Sequence, residues 1–80
     1  MDTREAVDKI IRDLCKKRGI TPNALSNLAG VPQATVKSIL NGESQNPGIV
    51  TLKKLCDGLD ISITEFFEDD IFRELEQEIY

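Results

Sequence analysis

The sequence predicts an all-α fold, a compact bundle of five or six short helices. Three observations carry that expectation. Apolar residues recur at three- and four-residue steps, as in Val7, Ile10, Ile11, Leu14 and Cys15, the spacing that gives a helix one buried stripe. Cap and stop residues divide the chain at short intervals: Thr21-Pro22 opens one segment, and Gly19, Gly30 and Asn41-Gly42 close others. No stretch alternates apolar and polar residues as a half-buried strand does, and Val-rich runs are few. A chain of 80 residues makes one domain whose core stabilises it only marginally.

Asp2 or Thr3 caps the first helix, and Glu5 is spaced to complete a capping box with Asp2. Lys16, Lys17 and Arg18 crowd its last turn, where the helix dipole favours each cation by about 0.3–1 kcal/mol. A phosphate contact is the alternative role for them. Ile20 then enters the core. The stretch from Thr21 to Gly42, TPNALSNLAGVPQATVKSILNG, reads as two short helices joined by a tight turn. Leu25, Leu28 and Ala29 give the first an apolar face. Gly30 stops it, because only glycine takes a left-handed backbone without steric cost. Val31 points inward from the turn. In the second helix Val36, Ile39 and Leu40 form the inner face, leaving Gln33, Ala34, Lys37 and Ser38 outside. Helices this short are unstable alone, so the remaining chain must hold them.

A polar loop follows, residues 43–48, with Ser44, Gln45 and Asn46. The fourth helix is expected over 49–59, burying Leu52, Leu55, Cys56 and Leu59. Gly58 falls inside it, and Asp60 takes the exit with a positive φ, which Asp tolerates better than most residues. Gly58→Ala is then stabilising if there is room for the methyl. Ile61 and Ile63 anchor the exit turn, and Thr64 caps a short fifth helix, 65–68. Phe66 and Phe67 read as core plugs: single-strand readers need aromatics on an exposed basic surface, whereas the neighbours here are Glu65, Glu68, Asp69 and Asp70. The tail, 70–80, has helix-forming composition and an apolar stripe of Ile71, Phe72, Leu75 and Ile79. The stripe docks either on the same domain or on a second subunit.

Composition narrows the chemistry. The chain has no histidine, so the usual general base and the commonest zinc ligand are both missing. Cys15 and Cys56 lie far apart, each on an apolar helix face, and are expected as buried free thiols with no metal between them. Nothing pairs a nucleophile with a base, and the carboxylates lie mostly on a solvated face, which argues against an enzyme. No apolar run approaches the ~18 residues of a membrane span, and no signal peptide is apparent. A cytoplasmic protein is expected. The net charge of −4 argues against DNA only until its distribution is considered. Residues 1–58 hold nine Lys/Arg against six Asp/Glu, a net of +3, and residues 59–80 hold one Arg against eight acids, a net of −7. A mildly basic module precedes an acidic tail, and local field governs binding at a groove.

The glycine-turned pair, with Ser26, Gly30, Val31 and Val36 in register and NGESQNPGIVTLKKLCDGLDIS following, resembles the helix-turn-helix of phage-repressor-like (XRE-type) DNA-binding domains over roughly residues 4 to 67. The resemblance implies a lambda-repressor-like domain over 1–68, with the motif at about 21–42, and an acidic C-terminal helix at 69–80 as a possible dimer contact. It also implies a sequence-specific transcriptional regulator that binds double-stranded DNA, without a cofactor, as a homodimer. By position it places Gln33, Ala34, Lys37 and Ser38 against base edges, and Thr21, Asn23, Asn41, Ser44, Asn46 and Thr51 along the backbone. Three departures stand out. Pro22 replaces the family's usual phosphate-binding glutamine, Pro32 replaces the Ser or Thr cap of the second helix, and Asp60 stands near the usual exit glycine. The rival reading is a protein-interaction module, such as the antitoxin of a toxin–antitoxin pair, whose acidic tail binds a basic protein partner.

Overall fold

The computed structural model describes residues 1–44 and 46–79. Gln45 of the polar loop and Tyr80 at the end of the tail lie outside the described residues. Among the described residues, five α-helices and a terminal 3-10 turn follow in order: α1 Thr3–Arg18, α2 Pro22–Ala29, α3 Gln33–Leu40, α4 Ile49–Gly58, α5 Ile63–Phe67, and the 3-10 turn Asp70–Glu74.

The local signals act where the sequence places them. Asp2 caps α1 by accepting from the Glu5 amide at 2.8 Å, and Thr21 caps α2 by accepting from the Ala24 amide at 3.1 Å. Gly30 closes α2 at φ 66°, and the Val31 amide returns to the Ser26 carbonyl at 3.0 Å. That bond turns the chain from α2 towards α3. Ser26 is buried, and its Oγ donates to the Asn23 carbonyl at 2.7 Å, which satisfies the hydroxyl where the helices meet.

The core joins Val7, Ile10, Ile11 and Cys15 of α1 with Leu25, Val31, Val36, Ile39 and Leu40 of the motif, closed by Leu52, Leu55, Cys56, Leu59 and Phe66. Both cysteines are free and buried. Leu28 differs from expectation: it is 62% exposed, while Leu25 is fully buried and Ala29 is the α2 residue that meets Gly58 of α4. Ile49 and Val50 at the start of α4 are exposed as well.

The α4 exit takes the expected form. Asp60 has φ 57°, the one positive-φ residue other than glycine among those described. Its amide bonds the Asp57 carbonyl at 3.1 Å and the Ile61 amide bonds the Cys56 carbonyl at 3.0 Å, the paired return of a Schellman end.

Three expectations beyond it need correction. The cap of α5 is Ser62, not Thr64. Ser62 accepts from the Glu65 amide and the Glu65 carboxylate accepts from the Ser62 amide, a complete capping box, so the helix starts at Ile63 and Thr64 lies within it.

The tail is not an α-helix either. Asp69 accepts from the Ile71 amide at 3.0 Å and winds residues 70–74 into a 3-10 turn, after which Leu75 is extended. Ile71 and Phe72 already cover the core edge, and three further glutamates at a helix C-terminus would oppose its dipole. Instead the Glu78 carboxylate accepts from the Thr3 amide and hydroxyl at 3.2 and 2.9 Å, at the positive end of α1. Phe67, expected in the core, is 37% exposed; it stacks beside Phe66 and Phe72 with centroids 5.0 and 4.9 Å away. No helix among the described residues is long and apolar enough to cross a membrane.

Candidate nucleic-acid interface

The motif presents α3 as a ridge. Val36, Ile39 and Leu40 are buried, while Gln33, Ala34 and Lys37 are exposed. Their positions, one helical turn apart, put these three side chains on one face. That face lines a shallow depression completed by Asn23 of α2, Asn41 and Arg12 of α1. Gln33, Ala34, Lys37, Asn23 and Asn41 thus line one depression.

Ser38 lies to one side. It is half-buried, and its carbonyl receives the Glu43 and Ser44 amides at 3.0 and 3.1 Å, so its main chain anchors the loop leaving α3. Ser44 is half-buried and Asn46 exposed; Asn46 lines a different hollow, with Thr3, Arg4 and Glu78. Thr21 is exposed at the α2 cap, and Thr51 is half-buried in the first turn of α4.

Both helices next to the loop begin without a side-chain cap. Pro32 precedes α3 and Gly48 precedes α4, and neither supplies a capping bond. In α3 the Thr35 amide turns to the Pro32 carbonyl at 3.0 Å; the amides ahead of it and those opening α4 take no side-chain cap among the described residues, and a helix N-terminus favours negative charge. Lys37 is the cation of α3. Lys53, by contrast, pairs with Asp57 along α4, and Lys9 pairs with Asp13 at 2.8 Å. The hydrogen bond from Lys9 to Asp13 raises the lysine above its ordinary range. Neither belongs to the depression.

Arg12 belongs to the site without a signal in the sequence. Its Nη2 donates to the Leu40 carbonyl at 2.7 Å and its Nε to Asp8 at 2.7 Å. In one dimension Arg12 is only another polar residue opposite the apolar stripe of α1. Nothing in its spacing reveals a bond that spans 28 positions.

A sequence profile of the Cro/C1-type HTH DNA-binding domain matches residues 10–70. The chain belongs to this Cro/C1-type helix-turn-helix family. It is 32% identical over 62 residues to the HTH-type transcriptional regulator SlrR of Bacillus subtilis (strain 168), a match spanning 78% of this chain and 41% of that relative's length. Among solved structures, prophage Lp1 protein 11 superposes with a TM-score of 0.81 at 34% identity, covering 94% of this chain and all of the other. The wild-type restriction-modification controller protein C.Esp1396I superposes with a TM-score of 0.79 over 94% and 95% of the two chains. At 23% identity that likeness speaks for the shared fold. The all-α, lambda-repressor-like architecture expected of a Cro/C1-type domain is the one observed.

Proposed function

We propose that this Cro/C1-type domain is a sequence-specific reader of double-stranded DNA that regulates transcription, with α3 as the recognition helix. The observation that carries the reading is the exposed face of Gln33, Ala34 and Lys37 on a helix whose opposite face is fixed in the core. In a helix-turn-helix the second helix enters the major groove and offers its N-terminal residues to base edges. Gln33 suits two bonds to adenine, Lys37 a bond to guanine, and the Ala34 methyl a contact with thymine. Ser38, half-buried, serves the groove edge. Thr21, Asn23, Asn41, Ser44, Asn46 and Thr51 provide short polar groups for phosphate, flanking the open amides of α3 and α4. Pro22 supplies no donor there.

One recognition helix covers few base pairs, so the chain acts as a two-fold homodimer on half-sites about 34 Å apart. Occupancy of a promoter then excludes or recruits polymerase. SlrR is by its name a transcriptional regulator, which favours this reading over a protein-interaction module.

Selection from random duplex DNA tests it. A two-fold symmetric site should emerge, with affinity falling steeply in salt at a log–log slope of about −0.9 per neutralised phosphate. Failure to enrich any sequence, together with a flat salt response, would refute it.

A further inference from the structure

From the placement of Arg12 we infer that it is a positioning residue for DNA reading: one guanidinium both fastens the end of α3 to α1 and holds a backbone phosphate at the rim of the recognition face. The inference rests on α3 being the recognition helix.

The geometry begins with Leu40, the last residue of α3. Its carbonyl is one of the terminal acceptors that an α-helix leaves without an intrahelical partner. Arg12 Nη2 fills that need at 2.7 Å, across 28 positions of sequence. A guanidinium on a helix C-terminus gains both a charge-assisted bond and a favourable dipole interaction. Asp8, one turn earlier on α1, takes the Nε donor at 2.7 Å and keeps the fork in one orientation. The plane of the guanidinium is therefore fixed from two sides before any ligand arrives.

Arg12 is also part of the depression formed with Asn23, Gln33, Lys37 and Asn41. Its side chain is 54% exposed, and its bonds among the described residues engage Nε and Nη2. A guanidinium carries donors in a rigid planar fork, so Nη1 remains able to donate while Nε and Nη2 are engaged. Arg12 shares the depression with Lys37 and Gln33, the face that a groove meets when α3 is the recognition helix. The acceptor that fits a fixed cationic fork at a groove edge is a phosphate oxygen. Phosphate held here would set how deep α3 sits, and so would act on base discrimination through Gln33 and Lys37.

The separate duties predict separate losses. Full-length Arg12→Gln and Arg12→Lys should be compared with the parent on the selected duplex and on an unrelated one, across a salt series. Arg12→Gln should reduce the magnitude of the salt slope by about 1. It should also lower the ratio of specific to non-specific affinity about tenfold, the scale of one mismatched base pair. Arg12→Lys keeps a point charge but loses the fork, so its slope should stay at the parental value while the ratio still falls. A merely structural role would lower both affinities through stability and leave the slope intact. Unchanged slope and ratio in Arg12→Gln overturn the inference. If that variant fails to fold, an unchanged ratio in Arg12→Lys overturns it equally. Lys37→Ala is the reference: if it too leaves the ratio unchanged, the recognition-helix reading fails rather than the role of Arg12.

Discussion

Gly58 of α4 lies directly against Ala29 of α2: a Cβ built on Gly58 would stand 3.0 Å from both the Cβ and the amide nitrogen of Ala29. The contact sets how closely α2 packs on α4, and it reverses the effect expected for filling Gly58. Helix propensity alone favours Gly58→Ala by about 1 kcal/mol. The Ala29 backbone cannot yield as a flexible side chain would, and overpacking of this kind costs about 1–3 kcal/mol. Gly58→Ala should lower the melting temperature, and Ala29→Gly in the same chain should not restore it, because the Ala29 amide nitrogen and Cα remain 3.0 and 3.1 Å from the added methyl. A more stable single variant would show that the two helices can separate without penalty.

Asp60 stands two residues beyond, and the prediction there has the opposite sign. Its φ of 57° places a residue with a Cβ in the left-handed region, where glycine carries no steric cost. Asp60→Gly should stabilise by up to about 1 kcal/mol, reduced by the added freedom of glycine in the unfolded chain. Arg18 Nη2 reaches the Asp60 carbonyl at 3.4 Å, a main-chain contact that the substitution retains. Urea denaturation checks it, and a lower midpoint would mean that the aspartate side chain contributes more than its backbone costs.

On the recognition face, Gln33→Ala and Lys37→Ala should each weaken binding to the selected duplex by about 1–3 kcal/mol. Gln33 carries no charge, so its loss should leave the salt slope unchanged. Equal affinity of parent and both variants for the selected site would remove α3 from the groove.

Most of this arrangement is written locally in the chain. Thr21, Pro22 and Gly30 mark α2 by short-range rules, and the three- and four-residue apolar spacing picks out Val36, Ile39 and Leu40. Ser62 through Glu65 carries a capping box in sequence as well, yet Thr64 beside it satisfies the weaker single-cap rule and shifts the expected start. Other features depend on distant partners. Leu28 fits the α2 stripe by periodicity, but α4 covers only part of that stripe. Room for a methyl at Gly58 is decided by Ala29, and the seat of Glu78 by Thr3. Arg12 is the same case at the candidate site: its significance lies in the Leu40 carbonyl. Local rules locate the helices and the exposed face of α3, whereas contacts between elements decide how that face is held.

The two thiols provide a test of burial. Burial pushes both Cys15 and Cys56 above the ordinary cysteine range, and the neighbouring Asp57 charge adds to the rise at Cys56. A raised folded-state value means that the native chain keeps its thiol protons while the unfolded chain loses them above about pH 8.5. Stability should therefore be level with respect to these groups below that pH and decline above it. Iodoacetamide should label both cysteines slowly under native conditions and rapidly in urea, since the thiolate is the nucleophile. Fast native labelling of either would contradict its place in the core.

The tail decides between docking at home and pairing with a second chain. Ile71 and Phe72 pack against the core, Phe72 lying 5.9 Å from Phe66 between ring centroids. Glu78 is bound at the first turn of α1. The stripe Ile71, Phe72, Leu75 and Ile79 is thereby broken: its first half is used within the chain, and Ile79 is left 87% exposed. A continuous apolar face for a partner tail does not form in this conformation. Like-charged tails also repel at low salt. Truncation after Asp69 should therefore cost stability, about 2 kcal/mol for two half-covered apolar side chains, and leave the oligomeric state unchanged. Thr3→Pro isolates the Glu78 anchor and leaves the pairing of the Met1 ammonium with Glu76 at 3.3 Å in place. Proline is accepted at the first position of a helix, and the extended backbone of Asp2 before it, φ −89° and ψ 175°, is the conformation that a following proline requires. The substitution removes both donors to Glu78 without changing charge, and should release the tail's end to rapid proteolysis while α1 remains folded. Sedimentation and melting of parent and truncation separate the two arrangements: a dimeric parent that becomes a folded monomer on truncation would make the tail an interface between subunits, with the fold-back as its unpaired form.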